Sequence, residues 1–182
     1  MLMKNKHYQQ GVGLVEVLVA LIILALGVLG FSALQLRAMD AAQEATEQTV
    51  AMNTARDLVE RIRVNRTALT NYKTTINAKT IDNGKMVCVG TTSRDADPVT
   101  TKIDLPKCNP VAMAEHDSTE ILKKANDHGQ VIVMANCVAS SMNCVYVAWG
   151  PTTITATDIS QCVDTTTGTY IVDAKCLVME AF

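Results

Sequence analysis

Residues Gly11–Leu34 read GVGLVEVLVALIILALGVLGFSAL. Glu16 is the lone charge in this stretch, five residues past Gly11, at the mouth of an apolar run. Ahead of it stands a polar leader, MLMKNKHYQQ, carrying Lys4 and Lys6. Behind it no charge occurs until Arg37, so Val17 to Leu36 supplies 20 uncharged residues. A helix rising ~1.5 Å per residue needs about that many to cross a bilayer core. A secretory signal peptide accounts for the basic leader, but its apolar core is shorter and ends in a small-residue cleavage site. No A-x-A-like site follows this run. A plain membrane anchor accounts for the length and leaves Glu16 unexplained, since a carboxylate at the membrane edge is costly and normally has a partner.

The 182 residues suffice for one domain plus an anchor. Only 4% of them are aromatic, so the core is light and needs help from the helix and from cross-links. The formal charge is −2, and removing a leader with two lysines makes it −4. Arg61, Arg63 and Arg66 are interspersed with Glu60 and read as a solvated helix face. No basic surface is built here, which excludes direct nucleic-acid binding by charge.

All six cysteines (Cys88, Cys108, Cys137, Cys144, Cys162, Cys176) follow the apolar run. An even count confined to that part fits disulfides formed in a periplasm or outside the cell. None stands in C-x-x-C spacing, and His7, His116 and His128 complete no ligand pattern, so no metal is expected. Six cysteines allow 15 connectivities. The most local pairing is Cys137–Cys144, then Cys162–Cys176, leaving Cys88–Cys108; the others stay open. Lys4 and Lys6 place the amino side of the run in the cytoplasm by the positive-inside tendency. The bulk of the chain is then exported, in agreement with the cysteines.

The helical pattern continues past the apolar run. Arg37 to Leu69 holds no proline or glycine and is rich in helix formers. Ala38, Ala41, Ala45, Met52, Ala55, Val59 and Ile62 mark one apolar stripe, expected to pack on the protein's own sheet. A continuous helix from Val12 to Leu69 is the expectation, softened at Gly27 and Gly30, each costing roughly 1 kcal/mol of propensity. From Asn71 to Lys107 the texture turns to threonine, aspartate and glycine and reads as loops, with one short strand at Lys85–Val89. Asn109-Pro110 looks like a cap and first turn of a helix running to about Ala125 and stopping near Gly129. Val131–Cys137 and Cys144–Trp149 read as a hairpin, with Val145, Val147 and Trp149 on one face and Tyr146 and Ala148 on the other. Tyr170–Asp173 and Cys176–Phe182 close the chain in strand-like fashion. Helix first and strands later is an α+β order with an antiparallel sheet.

No enzyme is legible. P-loop, G-x-S-x-G and H-E-x-x-H motifs are absent from the sequence. His116 and Asp117 are adjacent on the short helix, point in different directions, and read as solvated surface. No catalytic residue and no cofactor are expected.

The residues Gly11-Val12-Gly13-Leu14-Val15-Glu16-Val17-Leu18 resemble the type III leader of type IV prepilins. That resemblance implies cleavage after Gly11, N-methylation of Val12, and Glu16 as the fifth mature residue, acting in assembly. The family usually starts with phenylalanine and then a hydroxyl residue; this chain has Val12 and Gly13. Ala55–Asn65 (ARDLVERIRVN) is similar to a helix segment of PilV-type minor pilins. So is the late pattern of Cys144–Trp149, a further cysteine, and CLVME from Cys176. The implied fold is that of a type IV pilin, a long amino-terminal helix on a small antiparallel sheet. Its parts are a leader at 1–11, a transmembrane and filament-core helix at 12–36, an amphipathic continuation at 37–69, and a disulfide-bonded head at 70–182.

The implied partners are the prepilin peptidase, other major and minor pilins, the inner-membrane assembly platform and, at a tip, an adhesin. The implied role is support of pilus assembly or priming, adhesion and twitching motility. The subunit would start as a single-pass inner-membrane protein with its carboxyl-terminal part periplasmic, then move to the surface pilus. Minor pseudopilins of type II secretion share the leader, the glutamate and the helix. A periplasmic binding domain merely tethered to the membrane is the alternative outside the family.

Overall fold

The computed structural model describes residues 13–81, 88, 91–94, 101–104, 108–138 and 140–181. It divides into two compact units, Met1–Glu44 and Ala45–Phe182, with helix α1 (Leu14–Val64) contributing to both. Lys85–Val89, read as a strand from the sequence, lies outside the described residues except for Cys88.

In the first unit the described residues from Leu14 onward are all helix. Its apolar side chains from Leu14 to Met39 are exposed, Leu14 at 77% and Leu29 at 67%. Ser32 hides its hydroxyl by donating to the Val28 carbonyl at 2.9 Å, so no polar group interrupts the run. A Cβ added at Gly27 or Gly30 would meet nothing within 4 Å, so their small size serves no packing inside this chain.

In the second unit α1 ends earlier than the helix pattern predicts. Asn65 leaves helical geometry (φ −121°, ψ 51°). Its side chain instead donates to the Pro110 carbonyl at 2.7 Å, a competing bond that draws the backbone out of the helix. A 3-10 turn, Arg66–Ala68, leads into α2 (Leu69–Ala78), which replaces the expected loop. Tyr72 and Ile76, one turn apart, are fully buried and hold α2 down despite its threonines. Lys79 closes it in the left-handed region (φ 53°).

The threonine-rich stretch read as loop also holds strands β1 (Thr91–Arg94) and β2 (Thr101–Asp104), antiparallel to each other. Threonine is β-branched and tolerates extended pairing as readily as a turn. The Cys88–Cys108 disulfide brackets this pair.

Helix α3 (Pro110–Asp127) has its local signals in place. The Asn109 side chain accepts from the Ala112 amide at 2.8 Å, Pro110 opens the first turn, and Gly129 (φ +66°) ends it. The Gln130 amide reaches back to the Ala125 carbonyl at 2.8 Å to complete that ending. Strands β3 (Val131–Asn136), β4 (Asn143–Ala148) and β5 (Cys176–Glu180) form one antiparallel sheet in the order β3-β4-β5. The Tyr170 region is not a strand; it contributes one bridge, Val163 to Tyr170.

Both faces of this sheet are covered. Ile132, Met134, Val145, Val147 and Trp149 pack with Ala51, Ala55, Leu58, Val59 and Ile62 of α1 and with α2 and α3. Val133, Ala135, Tyr146 and Ala148 pack with Ile154, Cys162 and Val163 from the long loop before β5. The alternation expected for β4 is thus observed. On α1 the stripe holds at Ala55, Val59 and Ile62, but Ala38, Ala41, Ala45 and Met52 are exposed; Ala51, Thr54 and Leu58 complete the buried face instead. Thr54 is tolerated there because its hydroxyl bonds the Val50 carbonyl at 2.9 Å.

The outer edge of β3 is filled by one side chain. Asn77 of α2 donates to the Met134 carbonyl at 2.8 Å and accepts from the Met134 amide at 2.9 Å. Replacing Asn77 by alanine leaves both backbone groups short of a partner. The expected loss is about 1–3 kcal/mol of unfolding free energy, read by urea denaturation of the full chain in detergent.

Candidate functional site on the amino-terminal helix

Glu16 lies in the first turn of α1, where its amide bonds the Gly13 carbonyl at 3.0 Å. A carboxylate there is favoured by the helix dipole. Among the described residues it has no ion-pair partner, and the side chains that follow it are exposed and uncharged up to Arg37. Mean hydropathy reaches 2.8 over 18 residues of this helix, long and apolar enough to cross a membrane. Gly11 and Val12 lie outside the described residues.

The six cysteines form three disulfides: Cys88–Cys108, Cys137–Cys144 and Cys162–Cys176, with Cα separations of 5.9, 5.0 and 5.8 Å. Cys137–Cys144 closes the β3–β4 hairpin loop, and Cys162–Cys176 ties the long loop to the start of β5. Among the described residues no group of histidine, cysteine and acid side chains could hold a metal ion.

Two residues read from the sequence as solvated are buried. His116 and Asp117 are each 7% exposed. Arg61, assigned to a solvated face, is the hub of an ionic cluster. Its Nε donates to Asp57 at 2.8 Å, and its Nη1 to Asp117 and Glu120, each at 2.8 Å. Tyr72 donates its hydroxyl to the other oxygen of Asp117, and Lys124 reaches Asp57 at 3.3 Å. The cluster joins α1, α2 and α3. The sequence hides it because Asp117 meets a partner 56 residues away while the inner face of its own helix is marked by Ala114, Ile121, Leu122 and Ala125; the Asp57–Arg61 spacing is the one visible hint.

Burial pushes the Asp57 carboxyl up, but hydrogen bonds and charge from Arg61, then Lys124, outweigh it and hold it below its usual value of 3.8. Burial pushes Arg61 down, yet hydrogen bonds to Asp57, Glu120 and Asp117 keep the guanidinium above its ordinary range. Burial, then the bond to Asp117, raises the Tyr72 phenol well above its usual range.

The model of the prokaryotic N-terminal methylation motif matches residues 6–32, which take in Gly11, Glu16 and the first part of the apolar helix. The model described as type IV pilin Tt1218 matches residues 33–119. The chain is a type IV pilin. No curated protein and no solved structure matches the pilin. Type IV pilins are structural, non-enzymatic proteins. The motif implies processing by a prepilin peptidase and assembly with other pilins, and membrane then pilus localisation is typical of such a chain.

The ionic cluster carries a prediction for stability. Arg61→Met strands the nearly buried Asp117, and unfolding free energy should fall by about 2–4 kcal/mol in urea titrations at neutral pH. Because the Asp57 carboxyl is depressed on folding, its contribution is present above pH 3.8 and lost as pH falls through its folded value. Asp57→Asn should therefore lessen the acid-induced loss of stability seen with the unsubstituted chain.

Proposed function

We propose that this pilin is a minor subunit of a type IV pilus, of the PilV type, supporting assembly or priming, adhesion and twitching motility. Cleavage follows Gly11, Val12 becomes the N-methylated first residue, and Glu16 becomes the fifth. Before assembly the subunit spans the inner membrane once, its carboxyl-terminal unit in the periplasm. Its partners are the peptidase, major and sister minor pilins, the assembly platform and a tip adhesin.

The observation that carries this reading is Glu16 in the first turn of an exposed helix that stays charge-free to Arg37, within the methylation-motif match. A carboxylate at that depth needs a positive partner. The amino terminus of a neighbouring subunit supplies one in the filament. Such a contact adds little net stability, but a misplaced neighbour leaves a charge stranded, so the pair sets axial register. The ARDLVERIRVN segment and the late cysteine pattern support the PilV type, and three disulfides suit a subunit working outside the cytoplasm.

The test is mass spectrometry of the mature protein from sheared pili, beside two variants. The unsubstituted chain should lack its first 11 residues and carry a methylated Val12 and six oxidised thiols. Gly11→Ala should remain an uncut precursor in the membrane. Glu16→Leu should be cut normally and yet be missing from sheared pili. Retention of the leader in cells, or normal incorporation of Glu16→Leu, overturns the reading. Recovery with a secretion complex and not with pili assigns the pseudopilin role instead.

A further inference from the structure

Cys144 faces Glu180 across the β4–β5 pair, and Tyr146 faces Val178. Alternation along each strand puts all four on the sheet face turned away from α1. Over them lies the loop closed by the Cys162–Cys176 disulfide, where the Ile171 amide bonds the Cys162 carbonyl at 3.0 Å. That loop places Tyr170 so that its hydroxyl accepts from the Val178 amide at 3.0 Å. Between loop and sheet is a cavity of about 220 Å³ lined by Tyr146, Tyr170, Val178, Glu180 and the Cys137–Cys144 bridge.

Three properties of this cavity act together. Its volume is below the roughly 300 Å³ at which drug-sized pockets begin, so it takes a small head group. Glu180 is the charged residue in its lining, no basic residue lines it, and among the described residues that carboxylate makes no hydrogen bond or ion pair. Tyr170 shares the lining with the exposed carboxylate, above the buried Tyr146; aromatic rings attract a cation by their quadrupole, and ring-lined pockets select ammonium groups on that basis.

We propose that this cavity is a binding site for a cationic head group, an alkylammonium or guanidinium, with Glu180 as the counter-charge and Tyr170 as its aromatic wall. The group enters from the side where Tyr170 is half exposed. Lysine or arginine side chains of a neighbouring protein and free small amines share this chemistry. The site stands independently of the pilus assignment, because nothing in it involves the amino-terminal helix.

The full chain in detergent, with its disulfides intact, is titrated with capped lysine amide, capped arginine amide, n-butylamine and capped norleucine amide. Tyrosine ring resonances are followed by NMR. The cationic probes should give saturable shifts at Tyr146 and Tyr170 with millimolar affinity, and norleucine amide a response weaker by about tenfold. Glu180→Gln should weaken cation binding about fivefold. Asp127→Asn, which removes an exposed carboxylate of α3 outside the cavity lining, should retain it and serves as the folded control. Capped lysine binding more tightly than butylamine assigns a protein side chain; the reverse order assigns a free amine, and either supports the site. Absence of saturation, an equal response to norleucine amide, or no effect of Glu180→Gln overturns it.

Discussion

Burial of the Ala51–Ile62 face of α1 against the sheet is the contact on which the unit from Ala45 onward depends. Ala51, Ala55, Leu58 and Ile62 are all at 0% exposure and meet the inner face of a sheet with only three strands. So small a sheet is marginal alone and is stabilised by a helix laid across it. Ala51 and Ala55 share one buried cluster with Val145 and Val147. The ionic cluster at Arg61 then fixes what apolar packing leaves free to slide. From a single point on α1 its charge reaches Asp117 and Glu120 of α3, and Asp117 in turn accepts from Tyr72 of α2, so the three helices are linked through one carboxylate.

The opposite face of the sheet is solved by different means. Among the described residues an irregular loop and not a helix covers it, and such a loop loses backbone entropy without the return of a regular hydrogen-bond ladder. The Cys162–Cys176 bridge reduces the freedom of that segment before folding, and Cys137–Cys144 does the same for the hairpin turn. With few aromatics in the chain, cross-links take over part of what a bulkier core would supply. Head stability is thereby linked to an oxidising surrounding.

What the sequence discloses of this arrangement follows the range of the forces involved. The apolar run from Val17 is a matter of composition, so it is legible without any fold. Val145, Val147 and Trp149 alternate with Tyr146 and Ala148 because a strand's period is local, and α3 is announced by Asn109-Pro110 and closed by Gly129. The break at Asn65 is not legible, since it depends on a carbonyl 45 residues away. Helix α2 is likewise hidden: its threonines and asparagines look like loop, and only burial of Tyr72 and Ile76 makes it a helix. The burial of Asp117 depends on Arg61 and Tyr72 meeting it from two other helices. The pairing of Glu180 with a tyrosine-lined cavity depends on a disulfide loop folding back over the sheet.

The side-chain amide of Asn77 satisfies Met134 at both its donor and its acceptor, in the manner of a single residue of an added strand. An open strand margin recruits like margins, and stacks of such margins are the seed of fibrous aggregates. A carboxamide plugging the sheet border that α2 overlooks leaves fewer free groups there for another strand to pair with.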